Sequence, residues 1–229
     1  MNHMKPDAAK KPDPRQAPGP GRRRCVIVGG ADINSCGAVR RYLREDDFNI
    51  FCDCGLAHRE ALGIQPHLIV GDFDSFPNPH WEVETIVLPC EKDDTDTVFA
   101  AKEAVRRGFE DFLLIGAVGG RLDHTLGNLS ILLMLHAQGK RALLVDDHSE
   151  MEIVSREPAY IDDSFPFFSL LNISGTARGV TIENAKYPLQ HAEIQCTYQY
   201  GVSNEALPGQ RARVSVAEGE LLLIKVRQG

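Results

Sequence analysis

FLLIGAVGGRLDHTLGNLSILLMLHAQGKRALLV, residues 112–145, is the stretch on which the fold turns. It opens on an apolar run, Phe112 to Ile115, and passes through a loop containing Gly116, Gly119 and Gly120. A helix-like segment follows from Thr125 to Ala137, which Gly139 is placed to stop, and the stretch closes on a second β-rich run, Ala142 to Val145. Strand, loop, helix and strand in that order form a βαβ unit with parallel strands. Working outward, the same alternation extends back to Cys25. Further candidate strands are Cys25 to Val28, Asn49 to Cys52, His67 to Val70 and Thr85 to Leu88, with a helix from Thr97 to Arg107 that ends at Gly108. This predicts an α/β, Rossmann-like, mostly parallel sheet covered by helices, with ligands at the carboxyl ends of the strands.

After about Glu150 the texture changes. Short β-prone runs (Phe165 to Leu171, Val180 to Ile182, Glu193 to Tyr198, Arg211 to Val216, Leu221 to Val226) are separated by glycine and proline, which predicts an all-β sandwich or barrel-like C-terminal domain. The expected division is a basic disordered tail over 1–24, an α/β domain over 25–148 and an all-β domain over 149–229.

The chain has 229 residues and a formal charge of −7. The first 24 residues carry +5 and five prolines, so the remaining 18 basic and 30 acidic residues leave the body at −12. A body of that sign argues against nucleic acid, which demands a basic surface. No run approaches the roughly 20 apolar residues of a membrane helix, and no secretory h-region is present, so a cytoplasmic protein is expected. The six cysteines are then expected to stay reduced. Cys52 and Cys54 are too close for a structural zinc pair.

Three loops, each directly after a predicted strand, concentrate the chemistry. In GDFDS (71–75), Asp72 and Asp74 at i and i+2 can face the same side of an extended chain, and a hard divalent cation would relieve their repulsion. In EKDDTD (91–96), Asp93, Asp94 and Asp96 crowd one helix start. Capping accounts for one or two of them, Asp94 above all, and the excess reads as further metal ligands, with Lys92 as a counter-charge to phosphate. In GAVGGRLDH (116–124), the glycines permit close backbone approach and Arg121 offers a fork of donors, while Asp123 and His124 either cap the helix or bind substrate. The loop matches neither Walker A nor GxGxxG. Gly29 and Gly30, after the first strand, could add backbone contacts. Together these residues imply magnesium, a polyphosphate and phosphoryl or pyrophosphoryl transfer, and leave the acceptor unnamed.

The runs LGIQPHLIVGDFDS (62–75), KDDTDTVFA (92–100), GAVGGRLDHTLGN (116–128), GTARGVTIENAKYPL (175–189) and GVSNE (201–205) resemble the thiamine pyrophosphokinase family in order and spacing. The resemblance implies Mg2+-dependent transfer of the β,γ-diphosphate of ATP to the hydroxyethyl oxygen of thiamine, giving thiamine diphosphate and AMP. It also implies a homodimer with thiamine held between one subunit's α/β domain and its partner's β domain. Carried onto this chain, Asp72, Asp74 and Asp96, with Asp93 in addition, would hold magnesium. Gly30, Asp53, Lys92, Gly116, Gly119 and Arg121 would meet the nucleotide. Asp123, His124, Asn128, Ser203 and Asn204 would face the substrate. Asp74, Asp96 and Asp123 are the candidates to accept the hydroxyl proton. The chain departs from the family at CDCGL (52–56), where Cys54 replaces a glycine, and an aromatic stack on thiamine from the β domain would fall to a residue such as Tyr198 or Tyr200. A catalytically silent sensor, or a transferase with another acceptor such as a pterin alcohol, are the rival readings.

Overall fold

The structure, a computed structural model, describes residues 23–91 and 93–227. The tail through Arg22, and Lys92, lie outside the described residues.

The first half runs β1 (Arg24–Val28), α1 (Cys36–Arg40), β2 (Phe48–Cys52), a 3-10 helix (Asp53–His58) leading into α2 (Arg59–Leu62), β3 (Leu68–Gly71), β4 (Glu84–Val87), α3 (Asp96–Arg106), β5 (Asp111–Ile115), α4 (Leu122–Ala137) and β6 (Arg141–Val145). The second half is β7 (Ser149–Val154), β8 (Ala159–Asp162), β9 (Phe167–Leu171), β10 (Thr176–Glu183), β11 (Leu189–Gln195), β12 (Gly201–Asn204), β13 (Arg211–Ser215) and β14 (Leu221–Val226).

Ten strands form one sheet in the order β12-β9-β14-β7-β6-β5-β1-β2-β3-β4. From β4 to β6 all neighbours are parallel, and from β6 to β12 all are antiparallel. All five residues of β1 are buried, as a central strand between two helical layers requires. Cys25 and Ile27 face Ala100, Ala101 and Ala104 of α3 and Ile131, Leu132 and Leu135 of α4. Val26 and Val28 face Val39, Leu56 and Leu62 on the other side. The small side chains of α3 let that helix lie close to the sheet.

The remaining strands form a second sheet, β11-β10-β13-β8, packed on the antiparallel end of the first. Phe168, Leu170, Leu221 and Leu223 of the large sheet meet Val180, Ile182, Ile194 and Val214 of the small one, so the β-rich half is an open sandwich and not a barrel. The expected boundary at 148/149 falls in the turn between β6 and β7, antiparallel neighbours in one continuous sheet.

Three strands escaped the sequence reading. β7 reads SEMEIV, and its charges obscure the pattern; yet Glu150 is buried against Lys225 of β14 at 2.6 Å, and Glu152 pairs with the same ammonium at 3.2 Å. β8 and β12 have four residues each. α4 also begins three residues before the expected Thr125, whose hydroxyl accepts from Gly119 N of the preceding loop at 3.2 Å. The helix stops hold: Gly108 and Gly139 both have positive φ, and Phe109 N and Lys140 N reach back to Ala104 O and Leu135 O.

Arg23 and Arg24, expected in the tail, are part of the fold. Arg24 belongs to β1, and Arg23 places its guanidinium 5.6 Å from the centre of the Phe109 ring. The buried Arg24 guanidinium donates to both carboxylate oxygens of Asp47 at 2.7 and 2.6 Å and to Tyr42 O at 2.6 Å. Removing one partner of such a pair strands the other. Arg24→Ala is expected to cost roughly 3–5 kcal/mol in urea unfolding, whereas a true tail residue would cost nothing measurable.

Candidate active site

From β1 the chain crosses to β2 on one side of the sheet, and it reaches β5, on the other side of β1, only after β4 and α3. Connections leave β1 and β5 in opposite directions, which opens a crevice at their carboxyl ends, the usual ligand position in such sheets. The loops after β1 and β5 meet at its floor. Gly29 N donates to Ile115 O at 2.8 Å, and Ala31 N to Gly116 O at 2.9 Å. A Cβ on Gly29 would stand 2.4 Å from Gly116 O, and one on Gly116, whose φ is +60°, would stand 2.4 Å from Gly29 O. A Cβ on Gly119 would stand 2.8 Å from the Cβ of Ala31, and one on Gly30 2.6 Å from the Cβ of Cys54. These glycines, expected to admit a phosphate, therefore first bring the loops against one another. The Cys54 departure fits because Gly30 opposite it has no side chain.

Beside this floor the ends of β2 and β3 deliver carboxylates. Asp53, Asp72 and Asp74 each present an oxygen, and the three oxygens lie within 4.8 Å of one another. Asp53 opens the 3-10 helix at φ +34°, and a Cβ on Gly71 would come 3.1 Å from its Cβ, so Gly71 leaves it room. Burial, then the negative charges of Asp96, Asp72 and Asp74, push the Asp53 carboxyl up; a weak bond from Cys54 Sγ acts the other way. Its Oδ1 is buried with no hydrogen-bond partner among the described residues. A buried, unsatisfied carboxylate oxygen amid like charges suits a hard cation, so the donor set fits magnesium. Asp74 N donates to Asp72 Oδ1 at 3.3 Å, and Ser75 Oγ to Asp74 Oδ1 at 2.7 Å.

The other sequence candidates divide. Asp96, the first residue of α3, acts on Asp53 through its charge, whereas Asp93 is exposed and is not among the three grouped carboxylates. Asp94 is no cap: it holds Lys102 at 2.7 Å, and Thr95 caps the helix by accepting from Val98 N. Arg121 and Asp123 are exposed and bound to each other at 2.6 Å. The Arg121 guanidinium holds the Asp123 carboxyl well below the usual range, which disfavours Asp123 as a proton acceptor while that pair persists. His124 is exposed beside it.

Two expected substrate residues hold the scaffold together. Asn128 is buried; its Nδ2 donates to Ala117 O at 2.8 Å and its Oδ1 accepts from Thr97 Oγ1 at 2.6 Å, fastening α4 to the β5 loop and to the start of α3. Asn204 is buried, accepts from Tyr187 N and donates to Tyr187 O. Ser203, by contrast, is exposed with φ +58°. The sequence missed the part of Asp53 in the acidic group; its signal was an aspartate at the end of a predicted strand, the same signal that marked Asp72.

A family model described as "Thiamin pyrophosphokinase, catalytic domain" matches residues 39–144, and one described as "Thiamin pyrophosphokinase, vitamin B1 binding domain" matches residues 150–221. The chain belongs to the thiamin pyrophosphokinase family. It is 28% identical over 207 residues to a thiamine pyrophosphokinase of Bacillus subtilis, covering 87% of this chain and 96% of that one. The crystal structure of a thiamine pyrophosphokinase from B. subtilis superposes with a TM-score of 0.80 at 24% identity, over 90% of this chain and all of the other. That of a thiamin pyrophosphokinase from Geobacillus thermodenitrificans gives 0.76 at 27% identity, over 90% and 98%. As a thiamin pyrophosphokinase the chain is an enzyme that forms thiamine diphosphate by pyrophosphoryl transfer.

The crowding at Asp53 yields a test. Asp53→Asn is expected to raise the melting temperature in EDTA by roughly 2–4 °C, the effect of about 1 kcal/mol of relieved repulsion, and to abolish the rise that magnesium gives the wild type.

Proposed function

We propose that this chain transfers the β,γ-diphosphate of ATP to thiamine with Mg2+ held by Asp53, Asp72 and Asp74. The grouping of those three oxygens within 4.8 Å, beside the switch-point crevice, carries the reading. Asp96 adds negative charge at the same place. The ion, when bound, would neutralise the polyphosphate and the charge that develops during transfer.

In this reading ATP lies along the floor formed by Gly29, Gly30 and Gly116, and Arg121 exchanges Asp123 for a phosphate oxygen. The thiamine hydroxyl oxygen attacks the β-phosphorus, the bond from that phosphorus to the α–β bridging oxygen breaks, and AMP leaves with the electron pair. The hydroxyl proton passes to Asp74. That carboxylate is the most exposed of the three, and the oxygen it does not offer to the ion is the accepting atom.

Ser203 sits on β12, eight strand positions from β3 in the sheet. At ~4.8 Å per strand this is on the order of 38 Å, too far for one chain to bring it to its own acidic group. A homodimer in which β12 closes the partner's crevice resolves the separation. Two exposed apolar surfaces support it: Tyr198, Tyr200 and Val202 beside Ser203, at 71%, 40% and 54% exposure, and Leu122 and Leu126 at the start of α4, at 67% and 58%. Tyr198 and Tyr200, with ring centres 5.6 Å apart, would supply the aromatic contact to thiamine.

Phosphorus NMR of a mixture of protein, MgCl2, ATP and thiamine is expected to show thiamine diphosphate and AMP rising together. The Asp72→Ala plus Asp74→Ala chain is expected to lose at least ~1,000-fold in rate, because charge neutralisation carries most of such a barrier. ADP with free phosphate would mean a different acceptor. Binding of ATP without turnover would mean a sensor.

A further inference from the structure

Asp147 stands in the turn between β6 and β7, at the carboxyl end of the strand next to β5. Its Oδ2 accepts from Asn34 N at 2.8 Å and from Asn34 Nδ2 at 3.1 Å, and its Oδ1 accepts from Ser35 N at 2.9 Å. Those groups end the loop that leaves β1 at Gly29 and enters α1. Ser35 occupies the N-cap position of α1, so Asp147 holds the backbone N–H groups of the last two residues before the helix. At its other end the same loop is tied to β5 by Gly29 N and Ala31 N, and the His58 ring meets Ala31 O at 2.9 Å.

The turn that offers Asp147 is itself fixed. Asp146 Oδ1 accepts from His148 N at 2.7 Å and from Ser149 N at 2.5 Å, and Arg227, just beyond β14, donates to Asp146 O. Burial pushes the Asp147 carboxyl up, but the amides of Ser35 and Asn34 and the Asn34 side chain outweigh it, and the net shift is downward. The contact thus favours the charged carboxylate.

We propose that Asp147 is a positioning residue for the nucleotide, a latch that holds the backbone from Gly29 to Ser35 across the crevice so that its phosphate-facing wall is formed before ATP arrives. The proposal rests on reading the crevice as the ATP site. A latch of this kind acts on one substrate. It sets the floor under the nucleotide and touches nothing on the acceptor side, which the partner's β12 would close.

The test compares wild type, Asp147→Asn and Asp147→Ala as full chains. Calorimetry with a non-hydrolysable ATP analogue and Mg2+ gives Kd, and steady-state assays give KM for ATP and for thiamine. Asp147→Ala is expected to raise the analogue Kd and the ATP KM about tenfold, corresponding to ~1.4 kcal/mol, with the thiamine KM and kcat unchanged. Asp147→Asn, which retains an acceptor, is expected to recover most of that loss. Hydrogen exchange at the Asn34 and Ser35 amides should speed up in the same order. Variants that bind the analogue as the wild type does, or that lose ATP and thiamine equally, overturn the proposal. A wild-type chain that binds no analogue overturns the ATP reading itself and this role with it.

Discussion

The arrangement depends on where β1 lies. Buried on both faces, it pairs with β2 on one side and β5 on the other, so the connections after β1 and β5 must part. That parting creates the crevice, and all the loops that matter open onto the same edge of the sheet. The acidic group follows from it, since β2 lies beside β1 and β3 beside β2, and their adjacent ends deliver Asp53, Asp72 and Asp74 to one point. A parallel sheet leaves them no other place to go.

The packing below that edge is what allows charge to be concentrated above it. Aliphatic residues of β1, β2 and β5 fill both helical interfaces, and Asn128 ties α4 to the β5 loop and, through Thr97, to the start of α3. The opposing glycines 29 and 116 bring two loops closer than any side chain would permit. Repulsion among the carboxylates is therefore held by a scaffold that cannot readily spread. A bound cation would turn that strain into affinity.

Much of this was legible in the chain. Alternating apolar runs and helix-like stretches gave the parallel half to within a residue or two per strand, because strands buried on both faces show as continuous Val, Ile and Leu. β7 was hidden because its two glutamates pair with Lys225 of β14, a partner more than 70 positions away that no local pattern reveals. Asp72 and Asp74 stood out by spacing. Asp53 needed the fold, since only the adjacency of β2 and β3 makes it their neighbour. Asn128 and Asn204 sat in the right motifs, but their carboxamides fasten the scaffold, a distinction that spacing does not carry.

Crystals grown with Mn2+ in place of magnesium and an ATP analogue blocked at the α–β bridge would test the central claim most directly. An anomalous peak within coordination distance of Asp53, Asp72 and Asp74, with the polyphosphate over Gly29 and Gly30, is the expected result. A fully occupied analogue whose metal lies away from all three carboxylates would contradict it.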